Sequence, residues 1–298
     1  MEVVRASKAG ACYGVQRALD MADEVLAAGR RAYTLGPLIH NPQVVADLAA
    51  RGAEAVDTVA EVTAREAAAA AGAPAAAAAP EPDAAAGSGV EPVGLTTGAM
   101  AAGVLEALWA DAGAPDAPGA APARASVVIR SHGVTPDVLD DVEAAGFALV
   151  DATCPHVSRA QRAAAELARE GCRVVVLGEA RHPEVEGLTA WAREAGGKVD
   201  VVAGPDDIPA GLYDPIGVVA QTTQRRENLD AVVAALRERG LDPLVKNTIC
   251  SATGQRQQAA AELAGRVDAM VVIGGRNSSN TTRLAEICAQ ACPRTHHV

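Results

Sequence analysis

The chain has 298 residues, of which 49% are hydrophobic and 21% are charged, a composition typical of a globular protein with a sizeable core. Its formal net charge of −11 and its aromatic content of 2% argue against nucleic-acid binding, which needs basic surfaces and aromatic stacking platforms. The sequence shows neither a signal-peptide core nor a long apolar span, so we expect a cytoplasmic protein without membrane contact.

Three segments repeat one pattern, in which a cysteine opens a helical stretch and a glycine 24 residues later closes a short apolar strand. The cysteines are Cys12, Cys154 and Cys250, and the glycines are Gly36, Gly178 and Gly274. The closing strands are predicted at 32–35, 173–177 and 270–273. A further apolar segment precedes each cysteine, at 2–4, 147–150 and 243–245. This alternation of strands and helices predicts an α/β fold with parallel sheets.

The repeat divides the chain into three α/β units. We predict them at residues 12–153, at 154–249, and at 250–298 together with an N-terminal strand at 1–11. Residues of about 64–125 are rich in Ala, Pro and Gly and carry few large apolar side chains, so we interpret them as a flexible insertion in the first unit. The third unit is only 49 residues long, and we expect it to be truncated at its C-terminal end.

The three repeated cysteines are candidate metal ligands. A thiol at a helix start lies in a field that favours the thiolate, and three thiolates brought together by the repeat suit an iron–sulfur cluster. Such a cluster keeps one iron free for a substrate oxygen. Buried inert thiols and a zinc site are the alternatives, although zinc is disfavoured because no CxxC pair occurs. We interpret as structural the remaining cysteines, Cys172, Cys288 and Cys292.

Polar side chains follow the predicted strands at their carboxyl ends, where parallel α/β sheets bind ligands. They are His40, His132, His182, Thr222, Ser278, Ser279 and Asn280. Such imidazoles, hydroxyls and amides suit a phosphate-rich anion, with added positive potential from Arg130, Arg181 and Arg276. The alternatives are helix capping by the serines and asparagine, and histidines that are satisfied surface or core residues.

Glu184 lies two residues beyond His182 in the segment HPEVEG. A carboxylic acid with a raised pKa beside a reactive centre can supply protons. The alternative is a solvated loop carboxylate.

Eight motifs occur in one order between residues 10 and 286: GACYGVQRA, GPLIHNP, RSHGV, DATCPHV, GEARHPEVEG, QTTQ, NTICSATGQRQ and GGRNSSNTTRLAEI. They resemble the motifs of the 4-hydroxy-3-methylbut-2-enyl diphosphate reductase family. The resemblance implies three α/β units in a trefoil around a central iron–sulfur cluster of the 4Fe–4S type. It also implies the last step of the methylerythritol phosphate route to isoprenoids, in which a hydroxyl is lost reductively to give isopentenyl and dimethylallyl diphosphate.

The resemblance further implies a role for each candidate residue. The cluster ligands would be Cys12, Cys154 and Cys250. The diphosphate would be held by His40, His132, His182, Ser278, Ser279 and Asn280. Glu184 would deliver protons, and Thr222 would position the substrate hydroxyl and its proton relay. A ferredoxin or flavodoxin would supply electrons.

The sequence departs from the family pattern in three places. Tyr13 replaces a small residue beside Cys12, and the sequence leaves open whether it crowds the cluster. The insertion is atypical, and no GAS-like segment supplies the further diphosphate-binding serine that the family has near its C-terminus. Two other functions stay open: a non-catalytic iron–sulfur or zinc-binding module from a truncated chain, and a different three-cysteine dehydratase.

Overall fold

The structure, a computed structural model, describes residues 2–71 and 125–298. Helices and strands alternate along this part of the chain. The helices are α1 (Tyr13–Ala27), α2 (Pro42–Ala50), α3 (Val59–Ala70), α4 (Pro136–Ala144), α5 (Pro155–Arg169), α6 (Pro183–Glu194), α7 (Arg226–Glu238), α8 (Ser251–Ala264) and α9 (Ser279–Ala291). The strands are β1 (Ala32–Leu35), β2 (Ala53–Val56), β3 (Ser126–Ile129), β4 (Ala148–Asp151), β5 (Arg173–Leu177), β6 (Val199–Val202), β7 (Ile216–Ala220), β8 (Leu244–Val245), β9 (Met270–Val272) and β10 (Thr295–His297).

These strands form three sheets in the described part of the chain. The first sheet has the order β2-β1-β3-β4, the second has the order β6-β5-β7-β8, and the third pairs β10 with β9. All of the strand pairs are parallel. The second sheet therefore repeats the topology of the first, and the third contains the equivalents of its first two strands. The predicted α/β class with parallel sheets is confirmed.

One hydrogen bond recurs in all three sheets at the glycine that follows the first strand of each repeat. The glycine N–H donates to a valine carbonyl at the end of the neighbouring strand: Gly36 to Val56 at 2.7 Å, Gly178 to Val202 at 2.9 Å, and Gly274 to Val298 at 2.8 Å. The chain thus leaves each sheet at an equivalent point. This places the polar loops that follow at equivalent carboxyl ends of the sheets.

The second sheet is covered by helices on both faces. Val174 and Val176 pack with side chains of α5 and α6 in one core cluster, whereas Val175 and Leu177 pack with side chains of α7 in another. Strand β5 is therefore apolar at successive positions, since neither of its faces meets water. This packing gives the loops after β5 and β7 a rigid base.

Two predicted features of the repeat differ from the structure. Residues 2–11 form no strand, because they pair with neither β9 nor β10, and Val3 is 83% exposed. Residues 64–70, predicted as the start of the insertion, instead continue α3, because Ala, Glu and Arg are strong helix formers. The rest of the predicted insertion, up to residue 124, lies outside the described residues.

The main compact unit comprises Met1–Thr63 and Ala123–Val298, and the three sheets and the candidate site lie in it. No helix in the described ranges is both long enough and apolar enough to cross a lipid bilayer.

Candidate functional site

The three repeated cysteines occupy the same position in the fold, immediately before a helix. Cys12 is the N-cap of α1, Cys154 that of α5 and Cys250 that of α8. Gly14 lies directly against the second cysteine, since a Cβ atom added to it would be 2.3 Å from the Cys154 Sγ. The Cys154 side chain therefore lies against the first turn of α1.

Long arginine side chains connect the segments that carry these cysteines. Arg17 on α1 donates to the carbonyl of Thr153 at 3.1 Å and to that of Asp151 at 3.2 Å. Arg256 on α8 donates to the carbonyl of Gly10 at 3.1 Å. The helix after Cys12 is thus tied to the residues before Cys154, and the helix after Cys250 is tied to the residues before Cys12.

The second and third cysteines are bound to polar loops by one repeated contact. The Cys154 N–H donates to the carbonyl of Ser131, and the Cys250 N–H donates to the carbonyl of Thr222, both at 3.0 Å. Ser131 and Thr222 each stand two residues past a strand, in RSHGV and QTTQ respectively. The structure therefore places these two motifs in equivalent slots beside their cysteines.

Burial decides the protonation of the Cys154 thiol. Desolvation raises its pKa to about 11; the N–H groups of His156 and Val157 lower the pKa, and the charges of Cys12 and Cys250 raise it. The helix start acts in the predicted direction, but desolvation outweighs it. Because the charges of Cys12 and Cys250 reach the Cys154 thiol, the fold brings the three cysteines to one region, although their sulfurs are not among the described groups whose ligand atoms all lie within 4.8 Å of one another. A cation bound there would stabilise the thiolates.

Three histidines from different loops form a second cluster. The ring centroids are 4.4 Å apart for His40 and His132, 5.6 Å for His40 and His182, and 5.3 Å for His132 and His182. Both ring nitrogens of His40 and the Nδ1 atom of His132 are buried without a hydrogen-bond partner in the described part of the chain. Buried polar atoms are nearly always paired in proteins, so these atoms indicate a ligand site.

The three imidazoles are uncharged near neutral pH. Burial lowers the pKa of His182 to about 4, and it also lowers the pKa values of His40 and His132. The Nδ1 atom of His182 accepts from the Glu184 N–H at 3.1 Å, so the neutral ring carries its proton on Nε2. The cluster can thus offer N–H donors to an anion.

The nearby charge favours an anion over a metal ion at this cluster. One nitrogen from each ring could in principle share a cation, since the three lie within 4.8 Å of one another. However, the Arg130 guanidinium lowers the pKa values of all three histidines. It packs against Gly36, where an added Cβ would lie 2.6 Å from Nη1. A fixed positive charge that acts on all three rings repels a cation and attracts phosphate oxygens.

Glu184 is a buried acid hydrogen-bonded to Thr222. It lies in the first turn of α6 and is 1% exposed, so it is not a solvated loop carboxylate. The Thr222 N–H donates to Oε1 at 2.6 Å, and the Thr222 hydroxyl donates to Oε2 at 2.9 Å. Burial raises the pKa of Glu184 to about 7; the two Thr222 bonds lower it and the charge of Glu179 raises it. This carboxyl group can hold a proton at neutral pH.

The polar loop after β9 lies against the polar loop after β1. An added Cβ on Gly275 would be 2.8 Å from the His40 carbonyl oxygen. Ser278 is the N-cap of α9 and accepts from the Thr281 N–H at 3.4 Å, so the predicted capping role holds for this serine. Asn280 lies in the first turn of α9. The Ser279 hydroxyl donates to Glu179 at 2.6 Å.

Sequence reasoning missed Glu179 and Arg283, which form an ion pair of 2.8 Å beside this loop. Glu179 directly follows the repeated Gly178, but the other two repeats have Pro37 and Gly275 at that position, so the repeat gave no reason to single out a carboxylate there. Tyr13 is the first residue of α1, directly after Cys12, and is 56% exposed.

Comparison with known proteins identifies the family. The family model described as "LytB protein" matches residues 3–298. The 4-hydroxy-3-methylbut-2-enyl diphosphate reductases of Citrifermentans bemidjiense and of Geobacter sp. strain M21 are each 40% identical to the chain over 299 aligned positions, which cover 100% of this chain and 84% of the relative.

Solved structures give the same result. The structure of (E)-4-hydroxy-3-methyl-but-2-enyl diphosphate reductase, the terminal enzyme of the non-mevalonate pathway, is 33% identical with a TM-score of 0.61, covering 99% of this chain and 84% of that one. The Plasmodium falciparum reductase, at 19% identity, has the same fold with a TM-score of 0.70, covering 97% of this chain and 73% of that one. The chain belongs to the LytB family of 4-hydroxy-3-methylbut-2-enyl diphosphate reductases.

Proposed function

We propose that the chain removes the allylic hydroxyl of 4-hydroxy-3-methylbut-2-enyl diphosphate reductively, consuming two electrons and two protons and releasing water with isopentenyl or dimethylallyl diphosphate. One continuous contact path carries the proposal. His182 accepts from the Glu184 N–H, the Glu184 carboxylate accepts from Thr222, and the Thr222 carbonyl accepts from the Cys250 N–H. An anion site, a proton donor and a thiol centre are therefore contiguous.

In this proposal Cys12, Cys154 and Cys250 hold an iron–sulfur cluster of the 4Fe–4S type. The fit rests on Gly14, which leaves room for the Cys154 sulfur, and on the charges of Cys12 and Cys250, which reach the Cys154 thiol. When bound, the cluster supplies the electrons and a Lewis-acidic iron. We propose a ferredoxin or flavodoxin as its donor in the cytoplasm, where thiols stay reduced; all six cysteines are free.

The substrate diphosphate binds, in the same proposal, between the imidazole cluster and the start of α9. His40, His132 and His182 contribute N–H donors from neutral rings, and Arg130 contributes positive charge. Ser278, Ser279 and Asn280 contribute hydroxyl and amide groups at a helix N-terminus, where the helix dipole also favours an anion.

Glu184 delivers a proton and Thr222 relays it. With a pKa of about 7, the carboxyl group is partly protonated under physiological conditions, the condition that general acid catalysis requires. The Thr222 hydroxyl lies 2.9 Å from Oε2 and can rotate to accept that proton's hydrogen bond while donating its own hydrogen onward. It thereby connects the acid with the substrate hydroxyl.

Anaerobic reconstitution with iron and sulfide tests the proposed function. We expect a brown protein with about four irons per chain that consumes the substrate when a reduced ferredoxin is supplied. Protein treated identically without iron is the control. A colourless protein holding one zinc per chain and lacking turnover would instead support the non-catalytic metal-binding module.

Replacing Thr222 by valine is expected to shift the pH dependence of turnover. The variant loses the hydroxyl bond that lowers the pKa of Glu184 and keeps the backbone bond, so the pKa rises and the alkaline fall in rate moves up by about one pH unit. The relay is also lost, which lowers kcat about tenfold. Thr63→Val is the control, because the Thr63 hydroxyl donates to the Val59 carbonyl within α3, a helix that carries no candidate site residue. An unshifted profile in Thr222→Val would contradict the relay.

A further inference from the structure

The Glu179 side chain connects the loop after β5 to the start of α9. Its Oε2 atom accepts from the Ser279 hydroxyl at 2.6 Å, and its Oε1 atom accepts from Arg283 Nη2 at 2.8 Å. Ser279 and Arg283 lie four positions apart on α9, so the carboxylate bridges two adjacent turns of that helix. A residue of the second sheet's loop thus fixes the N-terminal turns of a helix in the third repeat.

The backbone of Glu179 is itself held in place. Its N–H donates to the Gln221 Oε1 atom at 3.1 Å, and Gln221, which is fully buried, directly precedes Thr222. The anchor for α9 is therefore attached to the same loop that holds the Glu184 carboxylate. The backbone of Glu179 is therefore held by a fully buried side chain, which keeps its carboxylate in place beside α9.

The charge of Glu179 is neutralised locally. The Arg283 side chain is 15% exposed and that of Glu179 is 46% exposed, so the pair is partly shielded from water, and hydrogen bonds between ionised groups are stronger than neutral ones. The charge of Glu179 reaches two groups of α6 and its N-cap, since it raises the pKa values of His182 and Glu184. A lone carboxylate here would repel a diphosphate, but the ion pair with Arg283 leaves no net charge.

We propose that Glu179 is a positioning residue for the diphosphate: by binding Ser279 and Arg283 together, it holds the start of α9 beside the imidazole cluster before the substrate arrives. The inference rests on the proposed function, which places the diphosphate at Ser279. Ordering this turn in advance removes an entropic cost from binding. When the anion binds, the Ser279 hydroxyl turns to it and Arg283 keeps the carboxylate paired.

Glu179→Ala tests this proposal through binding and turnover measured separately. We expect the variant to raise the KM of the loaded enzyme for the substrate about tenfold and to raise the Kd of the chain for inorganic pyrophosphate, measured by calorimetry, by a similar factor. Its kcat, measured below pH 7 where Glu184 keeps its proton even without the charge of Glu179, stays within about twofold, because Glu179 touches no reacting group. Glu179→Gln, which keeps one acceptor oxygen, is expected to recover part of the affinity.

Two further variants separate positioning from a general loss of structure. Asp230→Ala removes an exposed ion pair with Arg226 on α7, neither residue of which belongs to the proposed site, and leaves both constants unchanged. In a Ser279→Ala background, Glu179→Ala is expected to change the pyrophosphate Kd less than in the wild type, since part of its effect passes through that hydroxyl.

Each outcome bears on one claim. Wild-type turnover with an unchanged KM and Kd in Glu179→Ala would overturn the positioning role, as would a lower melting temperature with both constants unchanged. Tighter pyrophosphate binding by the variant would also overturn it, since repulsion by the carboxylate would then dominate. A wild-type protein that neither turns over nor binds pyrophosphate would refute the proposed function and this inference together.

Discussion

Replacing Glu184 by glutamine is expected to lower kcat about 10²- to 10⁴-fold, the usual contribution of a positioned general acid, while the cluster absorbance stays at the wild-type level. Glutamine fills the same space, and its amide oxygen can still accept from the Thr222 N–H that now donates to Oε1. The substitution therefore removes the transferable proton and keeps the packing. Turnover with excess reductant, beside the visible spectrum, measures both effects.

The pH dependence provides a second signature of this acid. Burial raises the pKa of Glu184 to about 7, so the proton-bearing form predominates below that pH and the wild-type rate falls as the pH rises through 7. Glu184→Gln cannot titrate and is expected to show no such fall. Glu186→Gln, an exposed position in the same first turn of α6, is the control and keeps the wild-type profile. A fall at the same pH in Glu184→Gln would assign the titration to another group.

Stability distinguishes this interpretation from a folding defect. The pKa of Glu184 is higher in the folded chain than its usual value of 4.5, so its contribution to stability is fully present below pH 4.5 and is lost as the pH rises through 7. At pH 8 the wild type therefore buries an ionised carboxylate, whereas the glutamine variant buries a neutral amide. We expect the variant to melt at the same temperature as the wild type or higher at that pH.

The sheets could be predicted from the sequence because their signals are local. Strands β1 and β5 were predicted with the bounds that the structure has, since each is a continuous apolar run closed by glycine. The spacing of 24 residues from cysteine to glycine predicted equivalent positions, and the recurring glycine hydrogen bond shows that equivalence directly. Local patterns of this kind determine where a strand ends and which loop follows.

The prediction of an N-terminal strand was wrong because a strand needs a partner as well as an apolar sequence. Val3 and Val4 have the right composition, but no strand of the described part pairs with them, and they stay 83% and 49% exposed. The thiolate expectation was incomplete for a similar reason. The helix start is local and lowers the pKa of Cys154, whereas burial comes from the whole fold and raises it further.

The contacts between repeats could not be predicted from spacing. Glu179 and Ser279 are separated by 100 residues along the chain, and only the packing of the second sheet's loop against α9 brings them together. The histidine cluster could be predicted in part from the sequence, because all three residues follow strands. Their approach to Arg130, which favours an anion, depends on the absence of a side chain at Gly36.

Replacing Gly14 by alanine is expected to abolish cluster loading, from about four irons per chain to less than about one, and to abolish turnover with it. The new methyl group would lie 2.3 Å from the Cys154 Sγ and 2.9 Å from the Cys154 Cβ. Rotating the thiol away removes the first clash and leaves the second, and it also moves the sulfur from the position in which we propose that it binds the iron–sulfur cluster with Cys12 and Cys250. Iron and sulfide analysis after anaerobic reconstitution measures the loss.

The helix propensity of alanine would stabilise α1, whereas the clash with Cys154 is expected to prevent iron binding, so the two effects can be told apart. Gly14 lies in the first turn of α1, where alanine favours the helix over glycine by about 1 kcal/mol, so a loss of iron cannot come from a weaker helix. Gly254→Ala is the matched control, since Gly254 lies in the first turn of α8 after Cys250 and an added Cβ there meets nothing within 4 Å. This control is expected to load iron fully. Full loading of Gly14→Ala would show that Cys154 does not direct its sulfur to a site shared with Cys12, and the three-cysteine centre would then be wrong.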